Sequence, residues 1–210
     1  MSEKFVVTIG RQFGSGGREI GQGIAERLGI PFYDKEILAS AAKESGMMPH
    51  VFEQMDERHT SSLLYNLSMG NGYTMPFFYG IDNTCLPTGD TVFAWQAKTI
   101  EKFASESSCV IIGRCADYIL QENPKLISVF IYADFDYRCE RVAKENNLTV
   151  QAAAPLVRKT DKSRANYYNF STGKRWGDMT NYDLSINSAK LGSEKTIELI
   201  CEYIKTRNNI

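Results

Sequence analysis

No stretch of this chain approaches the roughly 20 consecutive apolar residues that a membrane-spanning helix requires. Its start, Met1-Ser2-Glu3-Lys4, also lacks the basic segment, apolar core and small-residue cleavage site of a secretory signal. Neither sign of charge is in excess: 24 Lys and Arg stand against 25 Asp and Glu, so the surface has no general field for a nucleic acid polymer or an anionic membrane. Any anion site must be local. The five cysteines are odd in number, contain no C-x-x-C pair and make no metal-like grouping with the two histidines, which argues against a disulfide framework and against zinc. The expectation is a cytoplasmic, soluble protein with small-molecule partners, no membrane and no protein-held metal cluster. A length of 210 residues suits one compact domain over 1–210.

What is present is a βα rhythm. Phe5 to Ile9 (FVVTI) is a short β-branched run that stops at a glycine-rich turn, as a buried parallel strand would. Ile20, Ile24, Ala25 and Leu28 then recur at helical spacing, predicting a helix from Gly17 to Leu28 with Gly29 as its C-terminal cap. Ile30 to Tyr33 reads as a second strand, and Asp34 as the cap of a helix running to Lys43. From about 45 to 89 turn signals and aromatics are mixed, which marks a candidate insert. A helix over Thr91 to Ser105, the strand Cys109 to Ile112 (CVII), the strand Leu126 to Tyr132 (LISVFIY) and a helix from Asp134 to Lys144 follow. Gln151 to Tyr168 is a basic helix with a break near Pro155. Tyr182 to Ile186 is a last strand, and Glu194 to Lys205 a closing helix. Strands alternating with helices predict an α/β fold with a mostly parallel sheet between helical layers.

The turn Gly10-Arg11-Gln12-Phe13-Gly14-Ser15-Gly16-Gly17-Arg18-Glu19 lies between the first strand and the first helix, where backbone N–H groups and the helix dipole can hold phosphate. The usual phosphate-loop signature ends in Gly-Lys-Ser/Thr. Here Gly17 stands in the lysine's place, and Arg18, next to it, is the candidate cation from a shifted position. Glu19 caps the helix or meets magnesium through water; the sequence leaves both open.

Four segments together resemble the cytidylate kinase-like group of nucleoside monophosphate kinases. They are the turn Arg11 to Glu19, Phe32-Tyr33-Asp34, Ile112-Gly113-Arg114-Cys115-Ala116-Asp117, and Asp161-x-x-Arg164 leading to Tyr182-Asp183-Leu184-x-Ile186-Asn187. The resemblance implies a three-layer P-loop kinase fold with a helical acceptor-binding insert (about 45–89) and a basic lid (about 146–180). It implies ATP and Mg²⁺ as donor and CMP or dCMP as acceptor. Gly14, Ser15, Gly16, Gly17, Arg18, Glu19 and Arg11 would then bind the donor. Arg114 matches a family Gly-Arg-Asp motif whose arginine holds the acceptor phosphate. Cys115 departs from that motif's aspartate, which leaves Asp117 as the candidate two residues later. Asp161 and Arg164 match the lid's Asp-x-x-Arg, and Arg158 falls one place from its upstream arginine. With Arg18 and Arg114, these two arginines are the expected catalytic cations. Asp34 would meet acceptor hydroxyls, and Gln96 and Arg58 would read base and phosphate. Arg138 and Arg141 suit a lid hinge or a plain surface, and Tyr167, Tyr168, Trp176 and Tyr182 read as packing at the lid's base. The sequence leaves a homodimer open. It also leaves open a kinase of another small metabolite, or a nucleotide-binding protein that does not catalyse.

Overall fold

In the computed structural model, residues 4–46 and 89–208 are described. The body of the expected insert lies outside them, with Arg58, His50 and His59. Among the described residues, five strands, β1 (Val6–Arg11), β2 (Phe32–Tyr33), β3 (Cys109–Ile112), β4 (Leu126–Tyr132) and β5 (Leu184–Asn187), form one sheet. Its order is β2-β3-β1-β4-β5, and every pairing is parallel.

The alternation of side chains along the strands sorts the two faces. Val7 and Ile9 of β1, Val110 and Ile112 of β3, and Ile127, Val129 and Ile131 of β4 pack with Ile20 and Ile24 of α1 (Gly17–Leu28). Ile197, Ile200 and Ile204 of the C-terminal helix complete that layer. Val6, Cys109, Ile111 and Leu126 face the other way, onto Ile37 of α2 (Glu36–Ser45) and Ile100 of α3 (Gly89–Glu106). Both faces are therefore buried, as an all-parallel sheet requires. The chain continues through α4 (Ala116–Ile119), α5 (Phe135–Asn146), α6 (Val150–Thr172) and α7 (Ser188–Asn208). The helices α5 and α6 pack on each other through Cys139, Val142, Ala153 and Val157, and Phe13 of the glycine-rich turn joins that cluster.

α1 spans the residues expected of it, and Gly29 caps it in the left-handed conformation at φ 65. Three local expectations are corrected. Asp34 does not cap α2: Lys35 occupies the cap position without a side-chain bond, because the Asp34 carboxylate is taken by Arg18. Pro155 does not break its helix; α6 runs through it, held to α5 by Ala153 and Val157 on either side. The closing helix begins at Ser188, earlier than its periodicity suggests, and kinks at Gly192, whose φ and ψ of 75 and 163 lie outside helical space. β2 and β5 are also shorter or displaced at their starts, covering Phe32–Tyr33 and Leu184–Asn187.

Candidate active site

Two turns leave the carboxyl ends of the neighbouring strands β1 and β3, the edge at which open α/β sheets bind ligands. The first is the glycine-rich turn. Its backbone is held from below: Gln12 N–H donates to the Ile131 carbonyl at 3.0 Å and the Ser15 hydroxyl to the Gln12 carbonyl at 2.8 Å. The Ser188 hydroxyl, at the start of α7, donates to the Ser15 carbonyl at 2.6 Å. Gly14 and Gly16 sit at φ 78 and 77, and a Cβ on Gly14 would lie 2.8 Å from the Arg138 carbonyl oxygen. No side chain caps α1, and the amides of its first turn have no intrahelical partner by construction. Glu19 is not a cap. Arg141 of α5 donates to its carboxylate at 2.6 Å and holds that carboxyl below its ordinary range. Arg141 also pairs with Glu145 at 2.9 Å. Arg18 turns away along the surface, donating through Nε to Asp34 at 2.8 Å and lying over the Phe32 ring.

The second turn is strained. Gly113, Arg114 and Cys115 have φ of 66, 57 and 55 in succession, so two non-glycine residues share the left-handed region with the glycine before them. The result is a side chain placed where a relaxed turn would not put it. Arg114 is 3% exposed and lines a pocket of ≈ 20 Å³ that Arg11 and Arg164 also line. Burial first, and the Arg11 charge second, lower the Arg114 pKa to about 10. Tyr168, Trp176 and Tyr182 supply an aromatic wall. Arg114 and Arg164 are buried and Arg11 half-buried, and guanidinium groups taken out of water favour an anion beside them.

The remaining expected residues fall into two groups. Asp117 lines the pocket and accepts from the Tyr168 hydroxyl at 2.6 Å, with burial pushing its carboxyl up. Gln96 is buried and accepts from the Tyr167 hydroxyl at 2.7 Å. Arg164 donates to the Arg11 carbonyl at 3.0 Å, which ties α6 to the end of β1. Asp161 instead faces the first turn. Its carboxylate accepts from Phe13 N–H at 2.7 Å and from Arg138 at 2.5 Å. Arg158 is exposed and stacks over Phe135, 4.1 Å from the ring centre. Ser188 is a structural part of the site that the sequence reading did not place in it, and Arg138, read as a lid hinge or plain surface, is buried and donates to the Phe13 carbonyl and to Asp161. The signal for Ser188 was its position immediately after a strand, and for Arg138 its spacing of three from Arg141 on one helix. No group of three or more His, Cys, Asp or Glu side chains among the described residues is arranged to hold a metal.

An all-parallel five-stranded sheet with a glycine turn at the end of its central strand and arginines converging beside it defines a P-loop kinase fold. A shikimate kinase from Acinetobacter baumannii, solved with shikimate, shares that fold at TM-score 0.53 and 14% identity, covering 98% of this chain and 96% of its own. The protein belongs to the cytidylate kinase-like family, whose profile matches residues 6–190. It is 25% identical over 199 residues to a cytidylate kinase of Pyrococcus horikoshii, across 94% of this chain and 87% of the relative. A cytidylate kinase of Methanococcus vannielii is 23% identical over 203 residues, across 95% and 99%. An uncharacterized protein from Eubacterium ventriosum, solved by crystallography, matches at TM-score 0.71 and 29% identity, covering 96% of this chain and 99% of that one. No helix among the described residues is long and apolar enough to cross a membrane.

Proposed function

We propose that the protein is a cytoplasmic nucleoside monophosphate kinase that transfers a phosphoryl group from ATP to CMP or dCMP. The observation that carries this reading is the convergence of Arg11, Arg114 and Arg164 on one pocket directly beside the glycine-rich turn. The two cytidylate kinases that align over nearly the whole chain support the choice of acceptor.

The residues present fit the donor. Gly14 and Gly17 keep the turn free of Cβ atoms that would close it against Arg138 and Arg11, so main-chain amides are left to face phosphate. Magnesium needs no protein cage here, since it is commonly held by substrate phosphates and water with few side chains. In the reaction an oxygen of the acceptor phosphate bonds to the γ-phosphorus while the bond to the β–γ bridging oxygen breaks, and that electron pair stays on the departing ADP. The protein's share is positioning and charge neutralisation, with no covalent group required. Arg114 holds the acceptor phosphate in the pocket it lines, and Arg164, on α6, closes over the charge that spreads across the transferred group. Asp117 and the Tyr168 ring form the side against which the acceptor's sugar and base rest. Water, the competing acceptor, is kept out by the aromatic wall.

One observation favours a second reading, a protein that binds nucleotide without transfer: Gly17 stands where a lysine is usual, and the adjacent Arg18 is engaged by Asp34. A steady-state assay with ATP, Mg²⁺ and a panel of nucleoside monophosphates separates the two. Fastest turnover with CMP or dCMP is expected. Preference for another monophosphate would change the acceptor, and ATP binding without turnover on any of them would establish the second reading.

A further inference from the structure

Phe13 lies past the end of β1, and the helices α5 and α6 hold it by its N–H, its carbonyl and its ring. The N–H donates to Asp161 of α6 at 2.7 Å, and the carbonyl accepts from Arg138 of α5 at 3.2 Å. The ring packs in the cluster between the two helices, with the Arg164 guanidinium 5.7 Å from its centre. The two clamping side chains also hold each other. The Arg138 nitrogen that reaches the carbonyl donates to the second Asp161 oxygen at 2.5 Å, and Arg138 Nε donates to the Ala133 carbonyl at 3.0 Å. Their side chains are only 7% and 17% exposed, so little water competes for these bonds. Gly14 follows at φ 78, pressed so near α5 that a Cβ on it would meet the Arg138 carbonyl oxygen. The direction of the turn's amides is therefore set from the helix side at Phe13.

We propose that Asp161 is a positioning residue for the donor, acting through Phe13, and takes no part in holding the acceptor. This rests on the phosphoryl-transfer reading. Asp161 is not among the described residues that line the acceptor pocket, whereas Arg164, three residues further along the same helix, lines it and donates to the Arg11 carbonyl at 3.0 Å. The Asp161 carboxylate spends one oxygen on a main-chain N–H and the other on a guanidinium, both charge-assisted bonds. Because α6 carries Asp161 and Arg164 together, a single helix fixes the donor turn relative to the acceptor pocket, the kind of placement on which in-line transfer depends.

The test compares the wild-type chain with Asp161→Ala and with two neutral pairs, Asp161→Asn/Arg138→Met and Asp161→Leu/Arg138→Met. Melting temperature, ATP affinity by calorimetry, and KM for ATP and for the best monophosphate acceptor are recorded. Each pair removes both buried charges together, so neither is left unpaired. The pairs differ in whether position 161 keeps an oxygen for the Phe13 N–H. Asp161→Ala should bind ATP about tenfold more weakly while its acceptor KM stays within about twofold of wild type. The Asn pair should bind ATP at least about threefold more tightly than the Leu pair. Unchanged ATP affinity in Asp161→Ala, an acceptor KM that rises as much as that for ATP, or two folded pairs of equal ATP affinity would each overturn the proposal. Should Asp161→Ala and the Leu pair both fail to fold while the Asn pair folds, Asp161 serves the fold and not the donor, and the proposal falls too. A wild-type chain that binds ATP but transfers nothing ends the kinase reading alone, and the ATP affinities still decide Asp161 by the same limits. A wild-type chain that binds no ATP overturns both.

Discussion

The turns after β1 and β3 sit side by side on the same sheet edge and use opposite means. The first gives its left-handed positions, 14 and 16, to glycine and directs its side chains elsewhere: Ser15 into the core, Arg18 to Asp34, Glu19 to Arg141. The second places Arg114 and Cys115 at left-handed φ and accepts the strain. A donor with several phosphates is best met by many amides at once, which only bare backbone provides. On the proposed reading, an acceptor phosphate next to an aromatic wall is met by a few guanidinium groups, so there the backbone bends to deliver a side chain. Flexibility was removed from neither turn; it was spent differently, on access in one and on aim in the other.

Arg114→Gly puts the second turn under the rules of the first and is the largest expected effect. Glycine relieves a left-handed strain of about 1–2 kcal/mol at this position. Phosphoryl transfer should fall by about 100-fold or more. A variant that is less stable and still active would show that Arg114 props the fold and does not serve the site. The reverse exchange is Gly14→Ala. Its Cβ would press on the Arg138 carbonyl oxygen at 2.8 Å and the Val142 side chain at 2.9 Å, at a φ that suits alanine poorly. Strain and overpacking together should cost about 3 kcal/mol in urea unfolding, with activity lost in proportion to the distorted turn. An unchanged unfolding midpoint would mean that the first turn tolerates side chains after all.

How much of this was legible in the sequence differs between the two turns. The β-branched runs of β1, β3 and β4, the apolar spacing of α1 and its capping glycine are local signals, and they foretold the elements closely. The four motif segments foretold the family because their order and spacing constrain one another. What failed to show was decided through space. Asp34 has the chemistry of a helix cap, and nothing local says that Arg18, 16 residues earlier, takes it instead. Pro155 is a breaker by propensity, overridden by the packing of α6 on α5. The left-handed φ of Arg114 and Cys115 contradicts their local preference, as strained sites at function do. Gly17 looked like a lost lysine; a Cβ there would lie 2.5 Å from the Cβ of Arg11, six residues earlier at the end of β1.

The smallest expected effect tests whether the first turn truly relies on backbone. Glu19 is the acidic residue of the first turn of α1, and its bond from Arg141 is the side-chain tie most easily credited with holding the turn in place. Its carboxyl is held low in the folded chain, chiefly by that bond, so the contribution is complete above the ordinary carboxylate range and disappears as pH falls through the folded value. The Glu19 side chain is 54% exposed, so solvent screening limits the pair to about 0.5 kcal/mol. Glu19→Gln should therefore lower unfolding free energy by about that amount near pH 7, while the two proteins should converge near pH 3 as the wild-type carboxyl is protonated. A loss of several kcal/mol at neutral pH would place the turn's rigidity in this ion pair. A loss confined to a few tenths leaves it with the Gln12, Ser15 and Ser188 bonds beneath, which no change of pH in this range can loosen.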